Sequence, residues 1–346
     1  MPSSPSPSSR PREEGSNSPS PNPASQGWEE GAGGRRVALE THKLRKIYPG
    51  AALAAVEALD LVVPEGAVFG FLGPNGAGKT TTIGMLLGNV RPTSGSGTIL
   101  GKPIGDRNTR RLIGYLPEKF QFHEFLTATE FLDLHGRLYG LDAKTRKARI
   151  PEALERVGLG EKAKTPLKAF SKGMQQRVGL AQAVLHKPRL VILDEPTSAL
   201  DPIGRRIVRE LILSLKAEGV TVLLNSHLLS EVETTCDFIA IIRRGRILKQ
   251  GTLAELTAQP ASVVVELEGI SETQLQAAGR FGAVLQRGNT LTVATDEISA
   301  LVAALVAVGA QVHTVTPARL SLEDAFIRLM EDGTASGSEV DSQDAR

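Results

Sequence analysis

Ten consecutive residues, Gly73-Pro74-Asn75-Gly76-Ala77-Gly78-Lys79-Thr80-Thr81-Thr82, constrain this chain more than any other stretch. They follow an unbroken apolar run, residues 67–72 (AVFGFL), which reads as a buried strand. They lead into residues 83–87 (IGMLL), the body of a helix. G-x-x-x-x-G-K-[ST] between a strand and a helix is a phosphate loop. Its glycines let the backbone curl until successive N–H groups point inward, forming an anion-binding concavity. The positive end of the following helix adds to that field. Lys79 is placed to reach the outer phosphates of a nucleoside triphosphate, and the Thr80 hydroxyl to take one position on Mg²⁺.

Composition enters where it excludes other machines. Lys and Arg number 40 against 38 Asp and Glu, a net charge of +2, without the clustered basic excess of a nucleic-acid footprint. A single cysteine, Cys236, excludes an internal disulfide framework and reads as a small buried hydrophobe. The longest uncharged stretch, residues 298–318, breaks at Gly309 into an Ala/Val/Leu helix and a polar strand, too short to cross a bilayer. The N-terminus lacks a signal peptide's apolar core, so the chain is expected to be soluble by itself. Residues 1–34 are Ser/Pro-rich and 333–346 are polar; neither buries enough apolar surface to offset ordering entropy, and both read as disordered tails.

Between the tails, apolar runs alternate with helical periodicity. Strands are expected at residues 37–40 with an extension to 48, at 56–63, 67–72, 112–116, 190–193 and 220–224, with hairpins over 95–102 and 238–249. Residues 118–185 read instead as helical: a capping box at Thr127 and Glu130, a charged helix over 143–157 interrupted by Pro151, and a helix opened by Ser171. A further helix covers 203–215. The expected fold is α/β: a mainly parallel sheet, an antiparallel β arm and an inserted helical subdomain, together filling residues 35–258. After Pro260 the pattern is strand, helix, hairpin, helix, strand and a last helix capped by Ser321 and Asp324, a separate small α+β domain over 262–332.

The run Leu190-Val191-Ile192-Leu193-Asp194-Glu195-Pro196 sets adjacent carboxylates at the end of a buried strand. Neighbours on a strand face opposite sides, so the two take different tasks. Asp194 is assigned to the metal and Glu195 to the general base for a water aligned with the γ-phosphate. Upstream, Phe170-Ser171-Lys172-Gly173-Met174-Gln175-Gln176-Arg177 offers a second anion site: the Ser171 hydroxyl and Gly173 backbone at a helix N-terminus.

These motifs, in this order and spacing, resemble the ATP-binding subunit of ABC transporters over residues 37–256, a P-loop NTPase. The match includes Tyr48, the phosphate loop, S-K-G-M-Q-Q-R from Ser171, L-D-E-P-T-S-A-L-D through Asp201, and the histidine of Asn225-Ser226-His227. The resemblance implies that Tyr48 stacks on adenine, that His227 holds the γ-phosphate, and that Asp201 contacts an opposing subunit. Read from the residues alone, Tyr48 is a packed surface aromatic and Asp201 a cap for the helix near Pro202. Three positions depart from the family pattern. Glu118 stands where a glutamine senses Mg²⁺ and water, Lys172 replaces a signature glycine, and Met174 replaces a glutamine and is expected to pack.

The resemblance further implies an ATPase with ATP and Mg²⁺, at the cytoplasmic face of the cell membrane and driving a separate permease. Two ATPase subunits, identical or not, would pair head to tail, each phosphate loop closing on the partner's signature, here Ser171 to Gln175. Residues 118–140 would pass the motion on, and the small C-terminal domain resembles that of drug, lipid or polysaccharide exporters. A soluble ABC-type ATPase of the ribosome or DNA is the alternative, but the two ATPase units or long coiled coils typical of those are not visible. A nucleotide-binding regulator without turnover is a third reading, and no nucleic acid is expected as partner.

Overall fold

The computed structural model describes residues 36–257, 262–317 and 321–335. The chain opens with β1 (Val37–Lys46), β2 (Val56–Leu59), β3 (Val62–Pro64) and β4 (Val68–Leu72), then α1 (Lys79–Leu86). β5 (Ser94–Ile99), β6 (Lys102–Pro103), α2 (Arg107–Arg110) and β7 (Ile113–Leu116) follow. The helical block is α3 (Ala128–Leu138), α4 (Ala143–Arg156) and α5 (Lys172–Val184). β8 (Leu190–Asp194), α6 (Pro202–Ala217), β9 (Thr221–Asn225), α7 (Leu229–Thr235), β10 (Phe238–Arg243), β11 (Arg246–Thr252) and α8 (Leu253–Thr257) complete the large unit.

The central sheet has the order β11-β10-β4-β9-β8-β7. All its pairs are parallel except the β10–β11 hairpin. Every residue of β4, β8 and β9 is buried, the state that continuous apolar strands require when both sheet faces are covered. Alternation then feeds two cores. Val68, Leu72, Val191, Leu193, Val222 and Leu224 join the helical block and α6 on one face. Phe69, Phe71, Leu190, Ile192 and Leu223 meet α1 and the β arm on the other. Since β4 is central and β8 and β9 run parallel to it, their carboxyl ends open on one crevice, where sheets of this kind bind ligands.

Three elements differ from expectation. Residues 56–63 form two strands rather than one, pairing with different ends of β1. The buried Thr41 hydroxyl fills the break, donating to Leu59 O at 2.8 Å and accepting from Leu61 N at 2.9 Å. Pro151 does not interrupt α4: the carbonyl it leaves without a helical donor belongs to exposed Lys147, where water can reach it. The last helix, α11 (Leu322–Ala335), was expected within the small domain but packs on α7 and α8 of the large one. Leu322 is buried in the large core, Phe326 and Leu329 pack against it, and Arg243 Nη1 donates to Met330 O at 2.6 Å.

What remains of the small domain is β12 (Ser262–Leu267), α9 (Glu272–Gly279), β13 (Val284–Arg287), β14 (Thr290–Ala294), α10 (Ile298–Ala307) and β15 (Val312–Pro317). Its antiparallel sheet, β13-β14-β12-β15, closes a core of its own around Val265, Leu291, Leu301 and Leu305. The tails expected at 1–34 and 333–346 lie outside the described residues, except 333–335, which finish α11.

The capping box of α3 is complete: Glu130 N donates to Thr127 Oγ1 at 3.2 Å, and Thr127 N donates to Glu130 Oε2 at 2.8 Å. Ser321 caps α11 by a hydroxyl alone, accepting from Asp324 N at 3.1 Å, because the shorter Asp side chain meets the Ser321 hydroxyl instead of its backbone. Thr127→Ala is expected to lower stability by about 1 kcal/mol in urea unfolding, with the midpoint rather than the slope responding.

Candidate functional site

The loop between β4 and α1 needs glycine at two of its positions for different reasons. At Gly73 a Cβ would sit 2.3 Å from Ile242 O, and at Gly78, where φ is 103°, 2.4 Å from Ala55 O. The β10–β11 turn holds the loop from beneath, Gly245 N donating to Ala77 O at 2.8 Å. Lys79 is folded over its own loop, its Nζ donating to Gly73 O at 2.5 Å and Pro74 O at 3.1 Å. Burial lowers its pKa, while Glu195, Asp194 and Glu118 oppose that shift. A phosphate oxygen is a stronger partner for this ammonium than two neutral carbonyls, so the lysine is poised to exchange them.

Pro74 to Thr81, Glu118, Glu195, Ser198, Asn225 and His227 line one cavity of about 600 Å³, with Ala55 at its edge. The carboxyl end of β8 supplies the acids. Asp194 is 1% exposed, in register with Asn225 on β9, whose Nδ2 donates to Asp194 Oδ1 at 2.5 Å. Burial, with Glu118 and Glu195 nearby, raises the Asp194 pKa against that hydrogen bond. Glu195 has already left the strand: its φ is 53°, in the left-handed region that favours glycine. The two carboxylates therefore part company through a turn, not through strand alternation. Asp194 meets Asn225, while Glu195 Oε2 lies 2.6 Å from His227 Nδ1. The Glu195 side chain is 12% exposed and that of His227 57%, so the histidine faces solvent while the carboxylate it meets is largely covered.

Tyr48 is 41% exposed at the rim, with its hydroxyl 3.5 Å from Thr81 Oγ1 and Lys46 Nζ 5.1 Å from its ring centre. Tyr48 is not among the residues that line the cavity. Asp201 accepts from Gly204 N at 2.7 Å and so caps α6, as the residues alone suggested. Ser171 caps α5, accepting from Met174 N at 3.2 Å, and Met174 packs against the large core as expected. None of residues 171–175 lines the cavity.

Sequence reasoning missed three participants. Asn225 holds Asp194 by its side chain and Glu195 N by its carbonyl, at 2.9 Å. Ser198 Oγ and Gln176 Nε2 both donate to Glu195 O, at 3.1 and 3.3 Å. The only sequence signal was a polar residue closing an otherwise apolar strand, at Asn225, since register is a tertiary property.

The donors around Thr80 are hard oxygens: its own hydroxyl, the Asp194 and Glu118 carboxylates, and the buried Asn225 Oδ1, which has no protein partner. That set suits Mg²⁺ and not a soft metal.

The ABC transporter family matches residues 56–198. An ABC transporter ATP-binding protein of Synechocystis sp. is 45% identical over 303 residues, 85% of each chain. Nod factor export ATP-binding protein I of Cupriavidus pinatubonensis is 36% identical, over 84% of this chain and 90% of its own. Among solved structures, an ATP-binding subunit of an ABC transporter superposes with TM-score 0.59 at 35% identity, covering 63% of this chain and 91% of its own. A dimeric ATP-binding cassette in a post-hydrolysis state with ADP and Pi superposes with TM-score 0.58 at 25% identity, over 62% and 98%. A phosphate loop, a buried acidic strand end and a glutamate–histidine pair around one cavity carry the same meaning as these likenesses: the chain belongs to the ABC transporter family, as an ATP-binding and ATP-hydrolysing subunit.

Proposed function

We propose that this subunit powers export through a separate membrane permease, as one half of a head-to-tail pair with Mg²⁺-ATP at each interface. The observation that supports the pairing is the position of α5: its Ser171 end lines no part of the cavity of its own chain, as expected of a site that serves a nucleotide held by a partner. Asp201, beside it, would contact the opposing subunit. Export is favoured by a relative named for it, the Nod factor export protein; a further relative, 38% identical over 69% of this chain, is named for linearmycin resistance, LnrL of Bacillus subtilis. Among the described residues no helix is long and apolar enough to cross a membrane, which suits a peripheral subunit on the cytoplasmic face that borrows its pore. No nucleic acid enters this reading.

In the proposed reaction, Tyr48 stacks on adenine and the backbone N–H groups that the loop offers between Gly73 and Thr81, Pro74 excepted, cradle the phosphates. Lys79 leaves its loop carbonyls for the outer phosphates. Thr80, Asp194 and Glu118 would hold Mg²⁺, which when bound would supply positive charge beside the phosphates. Glu195 accepts the proton of the attacking water, and His227 contacts the γ-phosphate while orienting the Glu195 carboxylate through Nδ1. Ser171, Lys172, Gly173, Met174 and Gln175 close on the partner's nucleotide, Lys172 adding positive charge there. Residues 118–140 of the helical block then pass the motion to the permease, and the small domain after residue 262 acts as a regulatory part.

Affinity purification of the full chain from detergent-solubilised membranes tests the partner. A polytopic membrane protein is expected in stoichiometric yield. Recovery of ribosomes without any such protein overturns the transporter reading.

A further inference from the structure

We propose that Gln176 is a positioning residue for Glu195, tying the proposed base to the helix that faces the partner's nucleotide. It rests on the two assignments just made, Glu195 as base and α5 as the signature helix. Glu195 sits at φ 53°, a conformation that is unfavourable for a residue with a Cβ and persists only where its surroundings hold it. Its backbone is held on both sides. The N–H donates to Asn225 O at 2.9 Å, and the carbonyl accepts from Ser198 Oγ at 3.1 Å and Gln176 Nε2 at 3.3 Å. Asn225 belongs to the neighbouring strand and Ser198 to the same turn. Gln176 comes from α5, whose first turn starts at Lys172 immediately after the Ser171 cap.

Two further observations make the contact specific. Gln176 is 7% exposed, so its amide is a buried polar group that needs a partner, and Glu195 O provides one. One turn earlier, α5 touches the same loop again: a Cβ on Gly173 would lie 3.1 Å from Leu200 Cδ2 and 3.4 Å from Ala199 O. The helix therefore rests on the loop from Glu195 to Leu200 at two points on one face. When α5 shifts, the Glu195 peptide shifts with it. Displacing a reacting group by about 1 Å can cost a hundredfold in rate. Gln176 thus makes the base of one site sensitive to whether the same subunit's signature has engaged the nucleotide of the other.

Steady-state kinetics on the full chain, with Gln176→Leu and the smaller Gln176→Ala, test this. Both are expected to lower kcat about tenfold and leave KM for Mg²⁺-ATP within about twofold, the pattern of an interaction made in the transition state only. If Gln176 acts through Glu195, adding Gln176→Leu to Glu195→Gln leaves the residual turnover unchanged, because the two losses are not additive. ATP-dependent dimers of the double variant form as they do for Glu195→Gln alone. The proposal is overturned by a raised KM at unchanged kcat, by a full second loss in the Glu195→Gln background, or by dimers that vanish only when Gln176 is replaced. The single Glu195→Gln variant separates the readings: wild-type turnover there removes the base assignment itself, before Gln176 is in question.

Discussion

Glu195→Gln is expected to cut ATP turnover by about 10²–10⁴-fold and to let ATP-bound dimers accumulate. The variant keeps the shape of the side chain and an oxygen that can accept from His227 Nδ1, now 2.6 Å from Glu195 Oε2. What it loses is the capacity to take a proton from water. It also removes one negative charge from a cavity that must receive a polyanion and is already lined by Glu118, with Asp194 close enough to feel both carboxylates. Nucleotide binding should therefore hold or strengthen while the chemical step fails. Phosphate release at saturating Mg²⁺-ATP, with light scattering on the eluting species, reads both effects. Turnover equal to that of the wild type would sink the assignment.

Asp194→Asn is expected to move stability and activity in opposite directions. Burial first, then Glu118 and Glu195, raises the Asp194 pKa in the folded state. A carboxyl with a raised folded pKa stabilises fully below its unfolded value of about 3.9, and that stabilisation is lost as pH rises through the folded pKa. At neutral pH the ionised, 1%-exposed side chain is a cost to the nucleotide-free fold. An amide removes the cost and still accepts the Asn225 hydrogen bond. Melts of nucleotide-free protein should show the variant above the wild type at pH 7, by about 2–4 °C for each kcal/mol regained, and level with it near pH 4. Hydrolysis should meanwhile fall by about 10²–10³-fold, the scale for losing one stabilising group of the transition state. A lower melting temperature at pH 7, or a difference that ignores pH, would contradict the charge argument. Acid acts the other way on the helical block. Hydrogen bonds from Thr127 to Glu130, from Arg146 to Asp133 and from Thr145 to Asp142 depress these carboxyls, so their contribution holds above the unfolded pKa and fades as pH drops through the folded one.

Much of the site was legible because its parts are contiguous. The phosphate loop, the acidic strand end and the Ser171 cap each lie within a few neighbouring residues, and each carries its own local signal: glycine spacing, an apolar run, a capping side chain. The same holds for the parallel sheet, whose wholly apolar strands required cover on both faces. The one-strand reading of 56–63 failed because local propensity is blind to Thr41, which takes over the backbone partners at the break. The reading of α11 failed for a related reason. An amphipathic helix declares that one face must be buried, but not against which core, and Leu322 with its neighbours found the groove of α7 and α8 rather than the small sheet.

The chain's sequence by itself determined the chemistry available: a cradle for phosphates, an ammonium, a hydroxyl and carboxylates at the ends of buried strands. Only the tertiary structure decided how those groups are held. Asn225 reaches both carboxylate residues because β9 pairs with β8 in one register, and Gln176 reaches Glu195 because α5 lies across the turn that follows. Hydrogen bonds between residues 19 or 31 positions apart leave no periodic trace along the chain, since they depend on packing that brings separate elements together.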